Sequence, residues 1–143
     1  MAEHPTPATC GVDHVGLSVR DLESTRGFFC DCLRWRVVGE RPEYPAVFVS
    51  DGQQIVTLWR VEVPDQAVAF DRRTNVGLHH LAFAVADRAG LDGLYERVAN
   101  WPGVLVEFTP ELSGKGPKTH FIVREPSGIR IEFVFDPRVG RPR

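Results

Sequence analysis

Cysteine is scarce here and has no obvious partner: Cys10, Cys30 and Cys32 are the only three in 143 residues, an odd number with no C-x-x-C spacing. Two positions apart on a helix, Cys30 and Cys32 leave on different sides, so neither a disulfide framework nor a dithiol redox site is expected. Long apolar runs are also missing. None approaches the ~20 residues that cross a bilayer, and the opening MAEHPTPATCG lacks the basic and apolar regions of a secretory signal. The expectation is a cytoplasmic protein whose residues 1–11 form a short lead. Charge of one sign is lacking too: 17 Lys and Arg against 19 Asp and Glu leave a net charge of −2, with no basic block outside the tail DPRVGRPR. That balance argues against nucleic acid and against a membrane surface as partners.

What is present is an ordinary globular composition, 43% hydrophobic and 25% charged, and a chain long enough to bury a core. It also repeats itself. VDHVGLSVRDLESTRGFFCDCLRWRVVGE aligns with LHHLAFAVADRAGLDGLYERVANWPGVLVEF, placing Asp13-His14 on His79-His80 and Val19-Arg20-Asp21 on Val85-Ala86-Asp87. Each copy opens with an alternating strand, Val12 to Val19 or Leu78 to Val85. An aspartate at a helix-start position follows, Asp21 or Asp87, suited to capping the first turn. The helices carry Leu22, Phe28, Phe29 and Leu33 in the first copy and Leu91, Leu94, Tyr95 and Val98 in the second, near helical spacing.

Three short strands follow each helix. In the first copy they are Trp35 to Gly39, Ala46 to Asp51 and Gln54 to Val61, the last two joined by the hairpin signal DG. In the second they are Val104 to Thr109, Thr119 to Arg124 and Ile129 to Phe135, with EPSG as the last turn. The reading is an α+β fold of two βαβββ modules, residues 12–61 and 77–137, with a linker over 62–76 and a tail over 138–143.

Period-2 geometry sorts the faces. Val15, Leu17 and Val19 share one face of the first strand, and His14, Gly16 and Ser18 the other. In the repeat, Leu81, Phe83 and Val85 oppose His80, Ala82 and Ala84. A histidine followed by small residues, twice, describes a hollow, and His79, on the opposite face from His80, reads as structural or solvent-exposed. Ile129, Ile131, Phe133 and Phe135 make the packed face of the last strand and leave Arg130, Glu132 and Val134 opposite. Its counterpart packs Val56 and Leu58 and leaves Ile55, Thr57 and Trp59 opposite. His14, His80 and Glu132 are thus expected to converge, with Thr57 at the remaining corner.

The doubled pattern, together with DHVGLSVRDLESTRGFFCDCLRW, HHLAFAV and REPSGIRIEF, resembles the vicinal oxygen chelate superfamily over nearly the whole chain. That superfamily includes glyoxalase I, extradiol dioxygenases, fosfomycin-resistance transferases and bleomycin-binding proteins. The resemblance implies a cup-shaped mixed sheet of eight strands, with metal ligands on the first and fourth strand of each module. Those positions are His14, Thr57, His80 and Glu132. Threonine is a poor ligand for a divalent ion, which leaves two histidines and one carboxylate. Such a set suits Fe, Mn, Ni or Zn and keeps coordination positions open for a small-molecule substrate with adjacent oxygens. It further implies a homodimer in some relatives, where the cup is completed by a second chain; closure within one chain is the alternative.

Around this set, His120 is the leading group for catalytic proton transfer, since an imidazole titrates near neutral pH. Ile122 shares its inferred face. Lys115 and Lys118 in the loop SGKGPK, Trp59 and Phe48 on the cavity wall, and Arg130 beside Glu132 are candidates for substrate contact. A metal-free protein that sequesters an aromatic compound, as bleomycin-resistance members do, is the alternative function.

Overall fold

In a computed structural model, Met1 and residues 4–142 are described. Ala2 and Glu3 of the expected lead and Arg143 of the expected tail lie outside the described residues. The first module runs β1 (His14–Val19), α1 (Leu22–Gly27) continuing into a π-helical turn (Phe28–Cys32), β2 (Arg36–Arg41), β3 (Ala46–Ser50) and β4 (Ile55–Arg60). The second runs β5 (Leu81–Ala84), α2 (Arg88–Ala99), β6 (Leu105–Leu112), β7 (Thr119–Arg124) and β8 (Arg130–Phe135). Both helices start as the aspartates dictate. The Asp21 carboxylate accepts from the Ser24 amide at 3.0 Å and that of Asp87 from the Gly90 amide at 2.7 Å, each satisfying one free donor of the first turn.

The eight strands form two four-stranded sheets, in the orders β1-β4-β3-β2 and β5-β8-β7-β6. Within each, the last three strands form an antiparallel meander and the first lies parallel beside the last. This is the βαβββ fold read from the repeat, with each module keeping its own hydrogen-bonded sheet. The helix-facing residues of both sheets meet in one core. Phe28, Phe29, Cys32, Val56, Leu58, Leu91, Val98 and Phe121 are all fully buried there.

An aromatic cluster joins the modules: the Phe29 ring packs edge-on against Trp35 (5.1 Å between centroids) and Phe83 (6.1 Å). The π-helical turn sets this up. Leu33 N–H reaches back to the Phe28 carbonyl, five residues earlier, and the wider turn keeps Phe28, Phe29 and Cys32 inward while Cys30 stays half-buried.

A buried carboxylate also bridges the modules. Glu125, 1% exposed at the turn before β8, accepts from the Thr25 hydroxyl of α1 at 2.7 Å and from the amides of Ser127 and Ile129 at 2.9 and 3.1 Å. Burial pushes its carboxyl above the ordinary range, against the pull of these three donors.

Candidate functional site

The inner face of the second sheet gathers the polar groups. Register places Ala82 of β5 and Ile122 of β7 on either side of Glu132 in the middle of β8. His120 lies two residues before Ile122 on the same face, His80 immediately precedes β5, and both rings come over the same carboxylate. Each takes one of its oxygens. His80 Nε2 is 3.1 Å from Oε2, and His120 Nδ1 is 2.7 Å from Oε1. Glu132 is buried and His80 half-exposed, its side chain at 37%. Phe108 of β6 stacks on His120 at 6.4 Å, and Glu111 sits 3.6 Å from the Nε2 of that ring.

His14 does not join them within the chain. It starts β1 in the other sheet, its side chain 55% exposed, with Nδ1 on the Asp13 carboxylate at 2.7 Å. Among the described residues no group of three or more His, Cys, Asp or Glu is arranged to hold a metal ion. The pair His80 and Glu132 does fit neighbouring corners of a coordination sphere. Ligand bonds of about 2.0–2.2 Å meeting at roughly a right angle separate nitrogen and oxygen by about 3 Å, the observed spacing. Two of the three expected donors are therefore assembled, and the third is on the other module.

The remaining expected residues divide between the sheets. Thr57, buried in β4 opposite Gly16 of β1, has its hydroxyl committed: it accepts from Trp59 Nε1 at 2.8 Å and lies 3.5 Å from the Val15 carbonyl. Trp59 packs on Tyr44 (4.7 Å) and Phe48 (5.4 Å), with the Arg41 guanidinium over Phe48, giving the first sheet an aromatic inner face. Ile122 is buried beside Glu132, and Lys115 is exposed in the β6–β7 loop. A cleft of about 610 Å³ opens between the β1 and β5 edges, lined by Val12, Val15, Gln54, Ala82 and Ala84.

Alternation misplaces His79. A strand starting at Leu78 would send His79 and His80 to opposite faces, but β5 begins only at Leu81, and both histidines lie in the irregular approach to it. Freed from alternation, their rings sit edge-on, 5.0 Å apart, with the two Nδ1 atoms at 2.7 Å. Desolvation, then the charge of Arg130, holds the His79 imidazole below its ordinary value. Arg130 itself is buried, its Nε on Glu107 at 2.6 Å; Arg124 binds the same carboxylate at 2.7 Å. Burial works to raise the Glu107 carboxyl, but the two guanidinium donors outweigh it and hold it below the ordinary range. Neither Glu107 nor Glu111 is singled out by the sequence pattern. The opposite charges of Glu107 on β6 and Arg124 on neighbouring β7, with Arg130 one strand further on β8, are the signal that points to the first.

Residues 11–133 match the model of the Glyoxalase/Bleomycin resistance protein/Dioxygenase superfamily. Among solved structures, the glyoxylase/bleomycin resistance protein/dioxygenase domain from Frankia sp. EAN1pec is 25% identical at a TM-score of 0.76, over 90% of this chain and 99% of that one. The lactoylglutathione lyase from Agrobacterium tumefaciens is 22% identical at a TM-score of 0.68, over 90% and 96% of the two chains. A glyoxalase-related enzyme from Fulvimarina pelagi is 24% identical at 0.69, over 89% and 88%. These two likenesses speak for the fold alone. No curated protein matches the chain. The doubled βαβββ architecture and a family match over most of its length lead to one conclusion: the chain belongs to the glyoxalase/bleomycin resistance protein/dioxygenase superfamily.

Proposed function

We propose that this protein is a metal-dependent enzyme of the glyoxalase or dioxygenase type, acting on a small molecule whose adjacent oxygens bind a divalent ion. The observation that carries the reading is the His80–Glu132 pair, nitrogen and oxygen 3.1 Å apart on one sheet face, at the spacing of two neighbouring ligands. His80 and Glu132 would hold the ion, with His14 as third ligand. Because His14 lies on the first sheet and pairs with Asp13, its supply by a second copy of the chain is the arrangement we favour, with two sites in a twofold dimer. Fe, Mn, Ni or Zn suits two imidazoles and a carboxylate. When bound, such an ion supplies Lewis-acid polarisation of the substrate oxygens.

The chain's own residues would do the rest. His120 donates Nδ1–H to Glu132 Oε1, which fixes the ring and leaves Nε2 to take a proton from the substrate. Ile122 and Trp59 would form the apolar wall, and Lys115 would reach in from its loop. Arg130 and Thr57 are committed to protein partners and would shape the site rather than touch substrate. The aromatic inner face of Tyr44, Phe48 and Trp59 favours a second reading, a metal-free protein that sequesters an aromatic compound.

Metal content and chain mixing test the proposal together. Wild-type protein should take up about one ion per chain, and His14→Ala and His80→Ala should each take up almost none. Dissociating the two variants, mixing them equally and reassociating them should restore about a quarter of wild-type capacity, since half the dimers are then mixed and each has one intact site. A wild type that takes up no ion would favour the sequestering protein. Uptake by the wild type with no recovery on mixing would place all three ligands in one chain.

A further inference from the structure

His79 is not itself one of the groups that would hold the ion, yet it stands between a fixed cation and a ligand. We infer that Arg130, acting through His79, locks His80 in the tautomer that carries its proton on Nδ1 and leaves the Nε2 lone pair free beside Glu132. The inference deepens the metal-site reading and rests on it for its consequence.

The argument follows donors and acceptors. A guanidinium only donates. Arg130 Nη1 lies 3.4 Å from His79 Nδ1, so that nitrogen carries the lone pair. His80 Nδ1 lies 2.7 Å from the same atom, and a contact of that length needs one hydrogen. His79 Nδ1 cannot supply it, so His80 Nδ1 does. A neutral imidazole has one N–H, which leaves His80 Nε2 as a bare acceptor. It faces the carboxylate oxygen of Glu132 at 3.1 Å. The Nε2 lone pair and the Glu132 carboxylate would then both be available to a divalent ion, with no proton to displace.

The relay is anchored at its far end. Arg130 is 5% exposed, with Nε on Glu107 at 2.6 Å, and Glu107 is held in turn by Arg124 at 2.7 Å and Arg72 at 3.8 Å. Without His79, His80 would be free to take the Nε2-protonated form and donate to Glu132, and an incoming ion would have to displace that hydrogen bond. His79 and Arg130 are therefore positioning residues, setting which ring nitrogen meets the ion.

The test reads the tautomer directly. In metal-free protein with ¹⁵N-labelled histidine at about pH 8.5, above the ordinary imidazole range, long-range ¹H–¹⁵N correlations should show His80 protonated on Nδ1 alone in the wild type. In His79→Phe they should show protonation moved to Nε2, and Zn(II) affinity should fall about 10- to 100-fold. His79→Asn, whose side-chain carbonyl can accept in place of the ring nitrogen, should restore both readings. His80 protonated on Nε2, or on both nitrogens, in the wild type would overturn the inference, as would an unchanged tautomer in His79→Phe. The expected tautomers in a wild type that takes up no Zn(II) would support the relay and overturn the metal-site reading.

Discussion

Replacing Thr25 with valine keeps the shape of a buried side chain and removes one proton donor from the link between the modules. The Thr25 hydroxyl donates to Glu125 Oε2 at 2.7 Å, and Ser127 Oγ lies 2.8 Å from that hydroxyl. The two amides on Oε1 remain, so Glu125 keeps two of its three donors while Oε2 is left without one in a buried site. A hydrogen bond to a charged group is worth about 1.5–3 kcal/mol, and a neutral one about 0.5–1.5. Thr25→Val should therefore cost about 2 kcal/mol at pH 8, lowering Tm by roughly 4–8 °C for a chain of this size.

The sign of the pH dependence follows from the direction of the Glu125 shift. The folded carboxyl titrates above its unfolded value, so the native state binds more protons between the two. Its contribution is complete below the ordinary carboxyl range and is lost as pH rises through the folded value. Valine at position 25 removes a donor that favours the ionised form and pushes the folded value higher, so the deficit should grow with pH, from about 1 kcal/mol at pH 4 to about 2 at pH 8. Urea unfolding of both proteins at the two pH values measures this. A deficit equal at both, or below about 0.5 kcal/mol at pH 8, would refute an ionised, hydrogen-bonded Glu125. Glu125→Gln should remove this component and flatten the wild-type profile just above the ordinary carboxyl range.

Other perturbations separate roles at the site. His120→Gln should retain the wild-type ion content while lowering turnover about 10²- to 10⁴-fold; loss of the ion as well would make His120 a ligand. Thr57→Val deprives Trp59 Nε1 of its acceptor and should cost about 1 kcal/mol without changing ion uptake, measured by thermal unfolding and elemental analysis. At Gly39, beside a bulge in β2, an added Cβ would stand 2.9 Å from the Phe48 ring. Gly39→Ala should displace that ring from Trp59, altering the near-UV circular dichroism and costing about 1–3 kcal/mol.

Features that depend on near neighbours in the chain were legible without the fold. The caps at Asp21 and Asp87 need only an aspartate and an amide three residues on. The inward faces of β1, β4, β5 and β8 follow from alternation, and the repeat exposes the βαβββ pattern twice. Even the pairing of His120 with Glu132 is contained in the strands' period once β7 lies beside β8.

Three features were not legible, each because it depends on where an element starts or on what covers it. The contact between His79 and His80 exists because β5 begins at Leu81, and the sequence carries no turn signal to mark that start. Glu107 reaches Arg124 and Arg130 from a strand bulged on both sides of Phe108, where simple alternation loses its register. Equivalence in the repeat sets His14 beside His80 in an alignment, yet each module closes its own sheet, so His14 begins a strand of one sheet and His80 precedes a strand of the other. Composition and periodicity thus specify the modules and the polar face of each, because strand and helix geometry is local. Which polar groups meet within a sheet is settled by strand order and by where each strand starts, and the contact between modules, Thr25 on Glu125, by the packing of Phe28, Phe29, Phe83 and Trp35 in one core, which no pattern along a single strand encodes.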